Sequence, residues 1–220
     1  MKFDAVLFDC DGVLVDSEPL TIGVLRDLLA ESGWTMTLAE CMRLFVGKTV
    51  MDEAPTIEAH TGRPLTEAWM LEFRARRNHA LNTRLEPIPG IHAALQAVHA
   101  TYAGRIACAS GADRIKIELQ LDKVGLAAYF NGMVFSGHEM PRTKPWPDVY
   151  LAAAAALKVD PTRCAVVEDT TTGVRAGVAA GATVFGYAPA TSGHVDAQAL
   201  MDAGAFYTFT DMEELAGLLV

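Results

Sequence analysis

Short apolar runs that stop abruptly at polar residues recur along this chain. They are separated by stretches in which apolar positions return every three or four residues. The first run, Phe3–Phe8, ends at Asp9-Cys10-Asp11-Gly12, as a strand buried on both faces does. Similar runs follow at Arg105–Ala109, Ala165–Val167 and Thr183–Tyr187, with a weaker one at Gly132–Phe135. Between them lie helical patterns at Ile91–Tyr102, Asp113–Val124, Pro147–Leu157 and Thr172–Ala180. Strands alternating with helices of this length predict an α/β fold, a doubly wound parallel sheet of Rossmann-like type with helices on both faces.

Residues 17–85 have a different pattern. Helical spacing recurs at Pro19–Glu31, Leu38–Phe45, Val50–Ala59 and Glu67–Asn82, with breakers at Ser32-Gly33, Gly47 and Thr61-Gly62-Arg63-Pro64. No strand pattern interrupts them. The expected organisation is a core made of residues 1–16 and 86–220 with an all-helical domain, 17–85, inserted after the first strand. Glu86-Pro87-Ile88-Pro89-Gly90 marks the return, since two prolines end a helix and stiffen the crossing.

Composition narrows the setting. With 51 % hydrophobic and 20 % charged residues, the chain of 220 residues is ordinary globular material rather than a disordered one. A formal charge of −9 argues against a nucleic-acid or anionic-membrane partner. No apolar run approaches the ~18 residues a membrane span requires, and Asp4 and Asp9 come too early for a signal peptide. Cys10, Cys41, Cys108 and Cys164 are scattered without paired spacing, which fits reduced core thiols. The expectation is a soluble cytoplasmic protein.

In an open parallel sheet, ligands bind outside the carboxyl ends of the strands, so the polar residues there carry the candidate chemistry. Strand one ends in Asp9 and Asp11, the second in Ser110-Gly111 and the fourth in Glu168-Asp169, and Lys144 precedes the helix at Pro147. Crowded carboxylates stay ionised only around a cation. Oxygen donors without His or Cys favour a hard ion, Mg²⁺ above others. Ser110 with the amides after it, together with Lys144, would cradle an anion beside that metal. A site for a divalent cation and an anion suits a phosphoryl group, whose transfer needs mainly positioning and charge neutralisation. Two aspartates two residues apart can divide the roles of nucleophile and acid.

Asp9-x-Asp11-Gly12, Ser110, Lys144-Pro145 and Glu168-Asp169 resemble the four motifs of the haloacid dehalogenase-like phosphohydrolases. Asp16-Ser17-Glu18, the helical insert and the run Glu168–Ala182 resemble the branch that holds small-molecule phosphatases and β-phosphoglucomutase. The resemblance extends from Phe3 to about Tyr187. It implies Asp9 as a nucleophile that forms an aspartyl-phosphate, and Asp11 as general acid and then base. It implies Mg²⁺ held by the Asp9 carboxylate, the Asp11 backbone carbonyl and the Asp169 carboxylate, with Glu168 supporting these or ligating itself. Ser110, Gly111 and Lys144 would bind the phosphoryl group. The insert would be a mobile cap, with Thr21 and Lys48 as candidate substrate contacts. The run Arg74, Arg76, Arg77 and His79 is expected to be a solvated, internally paired helix face, and Trp69, Met70 and Phe73 to be cap core.

The function these features predict is a Mg²⁺-dependent phosphatase of a small phosphorylated metabolite, a sugar or sugar-acid phosphate, acting as a monomer. The alternative is a β-phosphoglucomutase-like mutase. That enzyme has a cap histidine where Thr21 stands, and a lysine and an arginine where Val46 and Val50 stand, so this cap lacks the cations a second phosphate needs. A more remote alternative, a phospho-receiver signalling domain, lacks a cap and is about half this length. Asp11 argues against a dehalogenase, which needs no acid there and no metal.

Overall fold

The computed structural model describes residues 2–190 and 195–219, and two compact units are distinguished: Met1–Asp16 with Glu86–Val220, and Ser17–Leu85. The strands are β1 (Ala5–Phe8), β2 (Ile106–Ser110), β3 (Val134–Ser136), β4 (Cys164–Glu168), β5 (Thr183–Tyr187) and β6 (Tyr207–Phe209). All belong to the first unit. They form a six-stranded sheet in the order β3-β2-β1-β4-β5-β6, and every neighbouring pair is parallel.

The helices of the second unit are α1 (Glu18–Glu31), α2 (Leu38–Phe45), α3 (Ala54–Thr61) and α4 (Glu67–Arg84). Those of the first are α5 (Ile91–Thr101), α6 (Arg114–Lys123), α7 (Ala127–Phe130), α8 (Asp148–Ala156), α9 (Thr171–Ala179), α10 (Ala197–Asp202) and α11 (Leu215–Leu218). No helix among the described residues is long and apolar enough to cross a membrane.

The sheet positions the polar ends by register. Every residue of β1, β2 and β4 is buried, as a strand covered on both faces must be. Phe8 pairs with Cys108 on one side and Val167 on the other, so Asp9, Ala109 and Glu168 emerge at one level. The Asp9 amide donates to Val167 O at 3.0 Å, which continues the ladder one residue past β1. The chain leaves β1 for β2 and β3 on one side, then returns to β4, β5 and β6 on the other. That order reverses at β1, and the crevice beyond its carboxyl end is where such sheets bind ligands.

The chain crosses out of the first unit and back at neighbouring positions: Asp16 N–H donates to Glu86 O at 3.0 Å and Ile88 N–H to Leu14 O at 3.1 Å. Each unit has its own apolar core. Ala5, Leu7, Val149, Ala153, Val166 and Val174 belong to the first, and Ile22, Leu25, Leu29, Phe45, Ile57 and Phe73 to the second. Within the second unit, Thr37 and Glu40 form a reciprocal capping box at the start of α2, and the Thr66 side chain caps α4. The four cysteines are free and buried.

Several sequence expectations shift. The helix expected from Val50 begins at Ala54, because Pro55 fits the first turn of a helix and not its middle, leaving 50–53 as turn. The weak strand at 132–135 runs instead from Val134 to Ser136. The sheet also gains β6, an edge strand whose Tyr207 is exposed and whose short mixed pattern carries little signal.

Candidate active site

Asp9 lies at the end of β1 and is buried, with 6 % of its surface exposed. Its Oδ1 accepts from Lys144 Nζ at 2.7 Å, and the same ammonium donates to Glu168 Oε1 at 2.6 Å. Burial pushes the Asp9 carboxyl up to about 7. Lys144 opposes that, while the charges of Glu168 and Asp11 reinforce it. Burial works against the Lys144 charge too, but Asp9 and Glu168 outweigh it and hold the ammonium well above its ordinary range.

Lys144 reaches the strand ends by a close approach of backbones. A Cβ on Gly137 would stand 2.7 Å from Thr143 Oγ1 and 3.2 Å from Gly111 Cα, so only glycine lets the 143–144 loop settle against β2 and β3. The Lys144 ammonium also lies 4.7 Å from the centre of the Tyr150 ring on α8. Arg142 points elsewhere, pairing with Asp148 at 3.2 Å and stacking over Trp146.

Glu168 has both oxygens engaged by the protein. Oε1 accepts from Lys144 and from the Tyr150 hydroxyl at 2.7 Å; Oε2 accepts from the amides of Asp169 and Thr170 and from the Thr170 hydroxyl. Gly173 makes room for it, since a Cβ there would fall 1.7 Å from Oε1. Thr170 caps α9 through Gly173 N–H at 3.1 Å, so the helix entry and the carboxylate share one network.

Asp169 follows on the same strand end, 3 % exposed. Carboxylate oxygens of Asp9, Glu168 and Asp169 all come within 4.8 Å of one another. Three carboxylates against the Lys144 ammonium leave an excess of negative charge in a buried place, which one hard divalent cation would neutralise. This excess of charge and the oxygen-only donors fit a hard divalent cation. Gly12 turns the chain away from this cluster at φ +76°, and a Cβ on it would lie 1.9 Å from Asp169 Oδ2. Gly12→Ala should cost about 1–3 kcal/mol of stability through the left-handed backbone alone, and should displace Asp169 as well. A thermal midpoint equal to that of the parent protein, with unchanged affinity for divalent cations, would contradict this.

Ser110 is buried at the end of β2, and its Oγ accepts from Ala112 N–H at 3.1 Å. That amide is thus engaged by the serine itself, leaving the hydroxyl proton for an anion. Gly111 stands beside Thr143, to which a Cβ would come within ordinary contact at 3.7 Å.

Asp11 departs from the cluster. Its carboxylate oxygens both accept from Lys116 Nζ at 2.8 Å, and Oδ1 also accepts from Gln120 Nε2 at 2.8 Å. Neither Lys116 nor Gln120 was among the sequence candidates. A signal exists: both fall on the α6 face that also carries Ile117 and Leu121, where a lysine and a glutamine are out of pattern.

The two remaining candidates lie in the helical unit. Thr21 is on α1, with its amide bonded to Ser17 O at 2.9 Å. Lys48, in the turn after α2, is half exposed and pairs with Glu53 at 3.0 Å. In the basic run of α4, Arg76 pairs with Glu72 and Glu31, as a solvated face would, but Arg77 is buried and donates to Asn78 Oδ1.

Residues 3–181 match the sequence pattern of the haloacid dehalogenase-like hydrolases, and the chain belongs to that family. It is 31 % identical over 186 residues to the 6-phosphogluconate phosphatase of Escherichia coli, covering 84 % of this chain and 82 % of that one. It is 30 % identical over 204 residues to a phosphorylated carbohydrates phosphatase of Thermotoga maritima, covering 92 % of each. A crystal structure of a family hydrolase from Deinococcus radiodurans, with bound phosphate and sodium, superposes with a TM-score of 0.81 at 34 % identity, over 100 % of this chain and 98 % of that one. By family and relatives the chain is an enzyme of the phosphoric monoester hydrolase class.

Proposed function

We propose that the protein is a Mg²⁺-dependent phosphatase of small phosphorylated sugars or sugar acids, working through a phosphoryl group carried transiently on Asp9. The observation that carries this reading is the buried cluster of Asp9, Glu168 and Asp169 at the carboxyl edge of the sheet, with the Lys144 ammonium paired to Asp9 and Glu168. The sugar phosphatases among its relatives support the substrate class.

Asp9 attacks phosphorus, and the bond to the leaving oxygen breaks as that oxygen takes the Asp11 proton. Asp11, now a carboxylate, then takes a proton from water, whose oxygen attacks the phosphorus on Asp9 and releases inorganic phosphate. Lys144 and the Ser110 hydroxyl, with the Gly111 backbone, hold the phosphoryl oxygens. The Asp9 and Asp169 carboxylates and the Asp11 carbonyl would hold the cation. Glu168, with both oxygens already engaged, fixes Lys144 and the 168–170 turn instead. Bound Mg²⁺ supplies neutralisation of the charge on the phosphoryl oxygens and the nucleophile.

In the helical unit, residues 17–85 would serve as the cap, with Thr21 and Lys48 as candidate substrate contacts. Thr21, Val46 and Val50 bring no cation to meet a second phosphate, which favours water over a sugar hydroxyl as acceptor. Phosphate release across a panel of sugar and sugar-acid phosphates tests the reading. Turnover of at least one of them should depend on added Mg²⁺ and vanish with chelator. Conversion of β-glucose 1-phosphate to glucose 6-phosphate without free phosphate would overturn it in favour of a mutase.

The Asp9 carboxyl gives a pH signature. Its ordinary value of 3.8 rises to about 7 in the cation-free site, so below about 7 a proton competes with the metal for the same carboxylate. Mg²⁺ affinity should fall about tenfold per pH unit below that point and level off above it. Thermal-shift titrations with Mg²⁺ at pH 6 and pH 8 read this out. Equal affinities at the two pH values would contradict the placement of the metal on Asp9.

A further inference from the structure

Lys116 and Gln120 stand four residues apart on α6, hence on one helix face, and both are buried, at 8 % and 0 % exposure. The α6 entry is anchored: Asp113 Oδ1 accepts from the Lys116 amide at 3.0 Å. The Lys116 ammonium lies 2.8 Å from each oxygen of Asp11. Gln120 divides its amide between two residues of the nucleophile turn. Its Nε2 donates to Asp11 Oδ1, and its Oε1 accepts from Cys10 Sγ at 3.5 Å. A buried lysine and glutamine are poor contributors to stability, because apolar side chains of similar volume would pack at lower desolvation cost. Their shared aim at one carboxylate needs another reason.

We propose that Lys116 and Gln120 are positioning residues, a seat on α6 that fixes the Asp11 carboxylate in the orientation it needs to take a proton from water. The inference rests on the acid–base reading of Asp11 given above. The pair acts through Asp11, contributing orientation: three hydrogen bonds hold a side chain that would otherwise sample several rotamers. All three donors favour the ionised carboxylate, so the orientation they fix is that of the base step, in which Asp11 takes a proton from water.

The test is a double-mutant cycle on the metal-loaded, full-length enzyme with a sugar phosphate that it turns over. Lys116→Met should lower kcat about tenfold to a hundredfold while KM changes little, since misplacing a catalytic group costs rate rather than binding. In an Asp11→Asn background the same Lys116→Met should change kcat by less than about twofold, because nothing remains for the seat to position. Gln120→Met should act in the same direction with a smaller effect, and carries the test if Lys116→Met does not fold. An equal loss in both backgrounds would overturn the proposal, as would an unchanged kcat for both seat variants in the presence of Asp11. Failure of the underlying reading is distinguishable, because Asp11→Asn alone would then turn over at the wild-type rate.

Discussion

Asp9→Asn should abolish turnover and leave the fold intact. The side chain keeps its shape, and the amide oxygen can still accept from Lys144, which approaches Asp9 Oδ1 at 2.7 Å. What is lost is the charged oxygen that the proposed mechanism has attack phosphorus, and an amide oxygen does not replace it. Removal of a nucleophile from an otherwise complete site costs about 10⁵–10⁶ in kcat. The fold should tolerate the change because Asp9 is an expensive residue to bury: its carboxyl is pushed up to about 7 by desolvation. A neutral amide avoids that cost, so the thermal midpoint should be unchanged or higher in the absence of metal. Turnover within about tenfold of the wild type, with the substitution confirmed by mass, would refute Asp9 as the nucleophile.

Asp11→Asn should cost about 10²–10⁴ in kcat, the range expected when a general acid or base is removed. The loss should depend on the leaving group. A sugar alkoxide needs a proton as it departs, whereas the phenolate of p-nitrophenyl phosphate does not. Single-turnover release of p-nitrophenol should therefore stay near the wild-type rate, while release of a sugar should slow greatly. The later attack of water needs the base with either substrate, so steady-state turnover should fall for both. Equal slowing of the first step for both substrates would contradict the acid role. The Asn side chain would also keep only part of its contact with Lys116 and Gln120, which is why the seat must be tested by the double cycle rather than by this variant.

Much of this site is visible in the residue pattern because its members are exceptions to their surroundings. Asp9 interrupts an apolar run, and Glu168-Asp169 ends another, and the register between β1 and β4 then sets Asp9 opposite Glu168. Thr183–Tyr187 has the same strand bounds in sequence and structure, since a short apolar run with a glycine before it and alanine-proline after it has little freedom. Lys116 and Gln120 stayed hidden for a related reason. A lysine on a helix reads as a solvated charge unless its partner is known, and its partner, Asp11, is 105 residues away. Gly137 likewise has no local signal, because the atom it must admit is Thr143 Oγ1 on another loop. The role of Glu168 depends on counting hydrogen bonds to both oxygens, which no spacing supplies. The edge strand β6 and the short α7, α10 and α11 fail for want of length, as three to six residues cannot establish a period.

The central claim, that the phosphoryl group rests on Asp9 between substrate and water, is open to a direct measurement. Asp11→Asn should form the intermediate from p-nitrophenyl phosphate and hydrolyse it slowly, so that it accumulates. Acid quench within the first turnover, followed by peptide mapping by mass spectrometry, should find one added phosphoryl group on the peptide containing Asp9 and at that residue. A burst of p-nitrophenol with the peptide unmodified, or with the phosphoryl group on another residue, would contradict the account.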